Sequence, residues 1–298
     1  MSKPSVYLRV RLLQIRAVAK FLELLGLSRR GAALIVGLRG NSFFGPILGF
    51  LVGYRRDYPS FEQAAASARR FIPSGHEHPD DVAFHSSIAD TIRESDFPVL
   101  FHLAPQVSRF SKVFDLGGNV GNLFYAYQKE LNFPADLAWH VFDLPEKKPA
   151  GQALARQRNE SRIRFSDSLA DASGCDLFIA SGSLHYFEQP LDQMLLSLDQ
   201  LPPHVIVNRI PCFREDNPPT DLSRSFVDDL ITVQDNKTYL VPCIVHNSDK
   251  LIASMRGIGY SLRASWPIHE RKLCVPLSPD RSSEHYSGFY FQRLDSRP

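Results

Sequence analysis

Residues 112–124 read Lys112-Val-Phe-Asp115-Leu-Gly117-Gly118-Asn119-Val-Gly121-Asn-Leu-Phe. Val113 and Phe114 form a short apolar strand that ends on a carboxylate. A glycine-rich turn follows and opens an amphipathic helix. Glycine is needed where the backbone turns at positive φ, or where a Cβ would block a ligand. In open α/β sheets such a turn lies at the carboxyl end of a strand, where ligands bind. The acid narrows the choice of ligand. Asp115 would repel a pyrophosphate, but it suits a cofactor that carries an ammonium and a sulfonium. The dinucleotide spacing Gly-x-Gly-x-x-Gly is not met by glycines at 117, 118 and 121, which disfavours a nicotinamide oxidoreductase.

The next strand repeats the pattern. Residues 138–143 (Ala-Trp-His-Val-Phe-Asp143) are an apolar run ending on an acid, followed by Leu144 and Pro145. A carboxylate there can accept hydrogen bonds from both ribose hydroxyls. Taken together, the two stretches resemble class I S-adenosylmethionine-dependent methyltransferases, whose motif I is Asp-x-Gly-x-Gly-x-Gly. Asn119 replaces the middle glycine, and Asn is the non-glycine residue that best tolerates left-handed backbone. The Phe-Asp143-Leu144-Pro phrase resembles the equivalent segment of small-molecule O-methyltransferases. The resemblance implies S-adenosylmethionine as cofactor, held by Asp115, Gly117, Gly118, Asn119, Gly121, Asp143 and Leu144. It also implies adenine contacts from Asp167 and Ser168, and a contact from Ser181.

Further strands are expected at residues 162–168, 175–181 and 204–210, with a helix over 189–201. That alternation is what a doubly wound sheet requires. A helix from Ser248, read as its cap, to Arg256 precedes strands at 260–266 and 287–293. These resemble the last two strands of the methyltransferase fold, the final one antiparallel. The expected fold is therefore α/β, a Rossmann-like seven-stranded methyltransferase sheet with an N-terminal helical cap. The expected division is 1–104 for the basic, apolar helical region and cap, and 105–298 for the cofactor-binding domain with an insertion at 211–247. A hairpin is expected near Asp235 and Asn236. Residues 58–71 and 85–101 read as helices of the cap.

Charge is unevenly spread. Residues 1–56 hold ten Lys or Arg and one acid, whereas the whole chain of 298 residues has a net charge of +2. The arm is also apolar at helical spacing from Tyr7 to Leu25, and a basic amphipathic helix can lie on an anionic membrane surface. Packing on the catalytic domain, with the arginines in solvent, is the alternative. Residues 43–54 are apolar but about half as long as a spanning helix. No small-residue cleavage site follows the charged start, so a signal peptide is not expected. The expected setting is the cytoplasm, with peripheral contact at the inner face of the membrane as a further reading. Four cysteines without a Cys-x-x-Cys pair argue against a zinc site or a disulfide scaffold. The tract at residues 76–81 has metal-ligand residue types, but it precedes a proline on an expected loop and reads as a solvated turn; no metal is expected. Asn217-Pro-Pro-Thr220 is similar to a motif of amino-methylating nucleic-acid enzymes. It follows the wrong strand and lacks the aromatic fourth residue, so no nucleic-acid partner is expected.

The function implied is methyl transfer, to an oxygen of a small-molecule or saccharide acceptor. The chain resembles bacterial methyltransferases associated with surface polysaccharide biosynthesis. His185, in the Leu184-His185-Tyr186 segment after the fourth strand, is the candidate general base because imidazole titrates near neutrality. Glu188 and His246 are alternatives. The rival reading is a non-catalytic module that keeps the sheet and docks on a membrane or a partner; the presence of both Asp115 and Asp143 weighs against it.

Overall fold

The computed structural model describes residues 54–69, 89–213, 229–235, 240–271 and 285–294, with scattered positions between 18 and 38. The tracts at 76–81 and 217–220, and most of the basic arm, lie outside the described residues. In chain order the strands are β1 (Tyr54–Asp57), β2 (Lys112–Leu116), β3 (Ala138–Phe142), β4 (Ile163–Ser166), β5 (Leu177–Ser181), β6 (His204–Ile210), β7 (Cys212–Phe213), β8 (Leu230–Asp235), β9 (Leu240–Asn247), β10 (Tyr260–Ile268) and β11 (Tyr286–Arg293). The helices are α1 (Phe61–Arg69), α2 (Phe97–Leu103), α3 (Asn122–Tyr127), α4 (Lys148–Gln157), α5 (Leu191–Leu196) and α6 (Ser248–Gly257).

Seven strands make one sheet in the order β10-β11-β6-β5-β2-β3-β4. β2 is parallel to β3 and to β5, β3 to β4, and β5 to β6, whereas β11 runs antiparallel between β6 and β10. This is the Rossmann-like methyltransferase fold. The centre is β2 and β5, where the order reverses from β2-β3-β4 to β2-β5-β6, and ligands bind at such a switch point outside the carboxyl ends.

The sheet is apolar on both faces because period-two alternation sends successive residues to opposite sides. Val113, Ile179 and Ile206 pack with α2 and α3 (Val99, Leu103, Leu123, Phe124). Their neighbours Phe114, Leu116, Phe178 and Val205 pack with α5 and α6 (Leu191, Met194, Leu251, Met255). Phe114 stacks on Phe178 at 5.5 Å between ring centroids. The edge strand β10 tolerates Pro267, which is exposed, as proline requires of a strand.

The remaining strands form a second sheet, β1-β8-β9-β7. β8 and β9 pair antiparallel from Leu230↔Val245 to Asp235↔Leu240, the hairpin expected in the insertion. β1 was not expected. It adds Tyr54–Asp57 to the outer edge of β8, so the sheet draws on both regions into which the sequence was divided. α1 covers this sheet through Ala64 and Ala68, which meet Ile231.

Three other local expectations are corrected. Of the cap helix read over 85–101, residues 85–88 lie outside the described residues, and 89–101 instead hold a 3-10 turn, Glu94–Asp96, leading into α2. Pro98 sits at the start of α2, where a missing N–H is harmless. The helix read over 189–201 is confined to α5, entered through Pro190. Asn247, not Ser248, caps α6, its Oδ1 accepting from the backbone N–H groups of Asp249 (2.9 Å) and Lys250 (3.2 Å). Ser248 Oγ donates instead to Phe213 O.

Candidate functional site

The glycine-rich turn joins β2 to α3. Gly117 (φ 71), Asn119 (φ 54) and Gly121 (φ 92) are all left-handed, so Asn119 adopts the conformation that makes it an acceptable substitute for glycine. Gly118 has a different reason. A Cβ there would stand 2.5 Å from Asp115 Oδ2. The turn is pinned to the neighbouring strand, since Gly117 N–H donates to Phe142 O (2.7 Å) and Asn119 N–H to Asp143 Oδ2 (2.7 Å). Asp143 Oδ1 accepts from Leu144 N–H (2.7 Å). The two strand-ending acids thus belong to one unit.

Asp115 lies under the turn, with no exposed surface. Trp139 Nε1 donates to its Oδ2 at 3.1 Å, while Oδ1 has no hydrogen-bond partner among the described residues. Burial pushes its pKa up to about 7; the Trp139 bond opposes this, the Asp143 charge adds to it, and Arg209 draws it down. A carboxyl half-protonated near neutrality is a proton store that a nearby cation would discharge. Asn119 Oδ1 is also buried without a partner among the described residues.

A cavity of about 140 Å³ opens beyond the ends of β3 and β4, lined among others by Asp143, Leu144, Lys148, Phe165 and Asp167. Asp167 is exposed and pairs with Lys148 at 2.5 Å. Ser168 does not line the cavity; its Oγ accepts from Ala170 N–H and caps the next 3-10 turn. A larger shallow groove of about 480 Å³ runs between α4 and the start of β4, and none of the residues expected from the sequence lines it. Lys148 was missed by sequence reading; its position four residues after Leu144, at the start of α4, was the available signal.

Past the end of β5, Ser181 Oγ accepts from Asn208 Nδ2 (3.2 Å), and Ser183 Oγ donates to Leu116 O. His185 lies in the 3-10 turn Leu184–Tyr186, 1% exposed, its ring 4.0 Å from that of Tyr186. The second sheet covers this turn, since Tyr186 Oη donates to Gln234 Oε1 (2.7 Å). The imidazole is packed rather than presented. Glu188 is exposed. His246 faces away into the second sheet's own network, with Nδ1 3.7 Å from Asp229 Oδ2. Asp229 stays below the usual carboxylate range: burial raises it, but His246, the Asn247 N–H and Lys250 together outweigh that.

A polar network that sequence reading did not single out joins the ends of β5 and β6 to the turn before α2. Arg209 has φ 57 within a strand, a strained setting of the kind that clusters at functional sites. Its Nη1 donates to Asp96 Oδ1 (2.9 Å) and its Nη2 to Ser181 O (3.3 Å). Asp96 Oδ1 also accepts from Tyr127 Oη (3.0 Å). Asn208 bridges Ser95 O and Trp266 Nε1. The signal was in the sequence: Asn208 and Arg209 interrupt an otherwise apolar strand.

Among the described residues no group of three or more His, Cys, Asp or Glu is placed to hold a metal ion, and no helix is long and apolar enough to cross a membrane. No family model matches the sequence, and no curated protein matches it. Solved structures do. One is the 1,6-didemethyltoxoflavin-N1-methyltransferase of Burkholderia thailandensis, with its acceptor and S-adenosylhomocysteine bound (18% identity, 72% of this chain and 86% of that one, TM-score 0.43). Another is an O-methyltransferase family protein of the same organism (15%, 80% and 69%, TM-score 0.44). A third is the magnesium protoporphyrin IX methyltransferase of Synechocystis PCC 6803 with S-adenosylhomocysteine (12%, 72% and 85%, TM-score 0.42). The fold assignment rests on the strand order of this chain and not on these likenesses.

Proposed function

We propose that this chain is an S-adenosylmethionine-dependent methyltransferase acting on an oxygen of a small-molecule acceptor, sugars included. The observation that carries this reading is the coupling of the two acids. Asp143 grips the glycine-rich turn through Asn119 N–H, and the same turn covers Asp115, whose Oδ1 is unpartnered. A pyrophosphate would find two carboxylates there; a cofactor with an ammonium, a sulfonium and a ribose finds complementary charge and acceptors.

The residues present fit that group. Asp143 would take the ribose hydroxyls, and Asp167 and Leu144, on the same cavity, would flank the adenine. Asp115 would act on the methionine ammonium from below the turn. Ser168 and Ser181 would contribute by shaping the exits of β4 and β5. When bound, the cofactor supplies a methyl group already activated as a sulfonium. The chain must then hold the acceptor in line and, for a hydroxyl, take up its proton. His185 serves as that base only if the second sheet lifts from the 184–186 turn. His185→Gln should then abolish turnover while leaving cofactor affinity intact.

Calorimetry tests the core of the reading. Wild type should bind S-adenosylmethionine and its demethylated product, but not NAD. Asp143→Ala removes charge-assisted hydrogen bonds worth about 1.5–3 kcal/mol each, so affinity should fall by roughly tenfold or more. No binding to wild type, or equal affinity in the variant, refutes the assignment. The resemblance to polysaccharide-associated methyltransferases and the basic, apolar arm support an acceptor handled near the inner membrane face.

A further inference from the structure

β6 carries a bulge where it meets β11. Ile210 pairs with Ser287 and Val207 with Phe289, so Asn208 and Arg209 together oppose the single residue Gly288. A bulge of this kind re-aims side chains beside a site. On the next strand Trp266 is the register partner of Gly288, and its indole fills the space a side chain there would need: a Cβ on Gly288 would overlap Trp266 Cε2 and Nε1. The indole thereby crosses β11 and reaches β6, where its Nε1 donates to Asn208 Oδ1 at 3.1 Å.

Asn208 has no exposed surface. An indole N–H can only donate, so the amide oxygen of Asn208 must face Trp266 and its NH2 must face away. Both amide hydrogens are used there, one on Ser95 O (3.0 Å) and one on Ser181 Oγ (3.2 Å). Ser181 Oγ is therefore an acceptor towards Asn208, and its own O–H has no acceptor among the described residues. The backbone beside it is fixed as well, since Gly182 N–H donates to Asn208 O (2.8 Å) and Arg209 Nη2 to Ser181 O (3.3 Å). Ser181 stays partly exposed at the mouth of β5. It stands one position past the Ala180↔Leu116 pair, level with Gly117, where the turn over Asp115 begins. From this geometry we infer that Trp266 and Asn208 are positioning residues, which aim the Ser181 hydroxyl as a hydrogen-bond donor at a carboxylate oxygen of the bound cofactor's methionine. This rests on the methyltransferase reading. Asp115 lies beneath the turn to act on the ammonium, the carboxylate is bonded to the same carbon as that ammonium, and Ser181 supplies the complementary donor from the adjoining strand.

Calorimetry of the full chain uses two ligands, S-adenosylhomocysteine and methylthioadenosine, which keeps the nucleoside but has no amino-acid end. Ser181→Ala should weaken S-adenosylhomocysteine binding by about tenfold or more and leave methylthioadenosine unchanged. Trp266→Phe keeps a ring over Gly288 and removes the N–H, which frees the Asn208 amide to turn. S-adenosylhomocysteine binding should then weaken by roughly threefold or more, again with methylthioadenosine unchanged. Because Trp266 acts only through the hydroxyl, adding Trp266→Phe to Ser181→Ala should cost no further affinity. A merely structural Trp266 would instead lower the melting temperature and weaken both ligands alike. Wild-type affinity in either single variant, additive losses in the double variant, or equal losses for the two ligands overturns the proposal and leaves the methyltransferase reading standing. Failure of wild type to bind S-adenosylhomocysteine overturns that reading, and the proposal with it.

Discussion

Replacing Asp115 by Asn should make the protein more stable at pH 8, contrary to the usual effect of a core substitution. The carboxyl is fully buried and its pKa lies at about 7, against 3.8 for the unperturbed group. An acid whose folded pKa is raised contributes its stability below the unfolded value and loses it as pH rises through the folded one. The unfolded chain releases the proton near pH 4 and the folded chain only near 7, so over that window stability falls with pH. At 1.36 kcal/mol per unit, the shift corresponds to about 4 kcal/mol. Asn keeps the shape, can still accept from Trp139 Nε1, and carries no charge to bury. Urea unfolding of both proteins at pH values from 4 to 8 isolates the effect, because titrating groups not coupled to Asp115 cancel in the difference. The difference should grow in favour of the Asp115→Asn variant by an amount on the order of 4 kcal/mol. A flat difference curve would show that Asp115 is not titrating in this window and would remove the proton store beneath the turn. The same group predicts that cofactor binding releases roughly half a proton at pH 7 and less at pH 8. Binding enthalpies measured in buffers of different ionisation heat should reveal that release in wild type and not in Asp115→Asn.

Asn119→Gly should preserve cofactor affinity, whereas Asn119→Val, forced to φ 54, should lose about 1–2 kcal/mol of folding stability in urea unfolding; equal stabilities would mean the turn relaxes. Gly118→Ala should disable cofactor binding in calorimetry, since its methyl would meet the Asp115 carboxylate at 2.5 Å, with wild-type affinity as the refuting result. Residues 1–56 should carry the chain to anionic vesicles in flotation at low salt and release it at high salt, each basic residue contributing about 1 kcal/mol near the surface. Salt-resistant flotation would indicate insertion instead, and none at low salt would make the arm a packing element.

The large sheet was legible because its strands are local facts. Each is an apolar run with its own turn, and the glycines between β2 and α3, with the acids near the ends of β2 and β3, mark the candidate site in local sequence. What the sequence hid was non-local. The partner of β1 lies far along the chain, and nothing in Tyr54–Asp57 signals pairing with β8. The cap helix was misplaced because 85–101 has helical composition, while Pro98 moves the start of the helix into its second half. Asp96 and Arg209 come from segments over a hundred residues apart, and only the closing of β6 against the 94–96 turn brings them together. His185 shows the same limit: the residue type and the strand exit were read from local sequence, but its burial depends on a sheet built mostly from the insertion.

The edge position of β1 bears on how the chain is made. Tyr54 pairs with Gln234, some 180 positions later, so the earliest of the described strands is paired only after most of the seven-stranded sheet has been synthesised. Long-range pairing of this kind is slow because a large loop must close before any contact repays it. The seven-stranded sheet still lacks β10 and β11 at that moment, and neither depends on β1. β1 therefore docks onto a template formed by the insertion, which makes the small sheet a late step in folding and truncation before β8 a way to leave β1 without its partner.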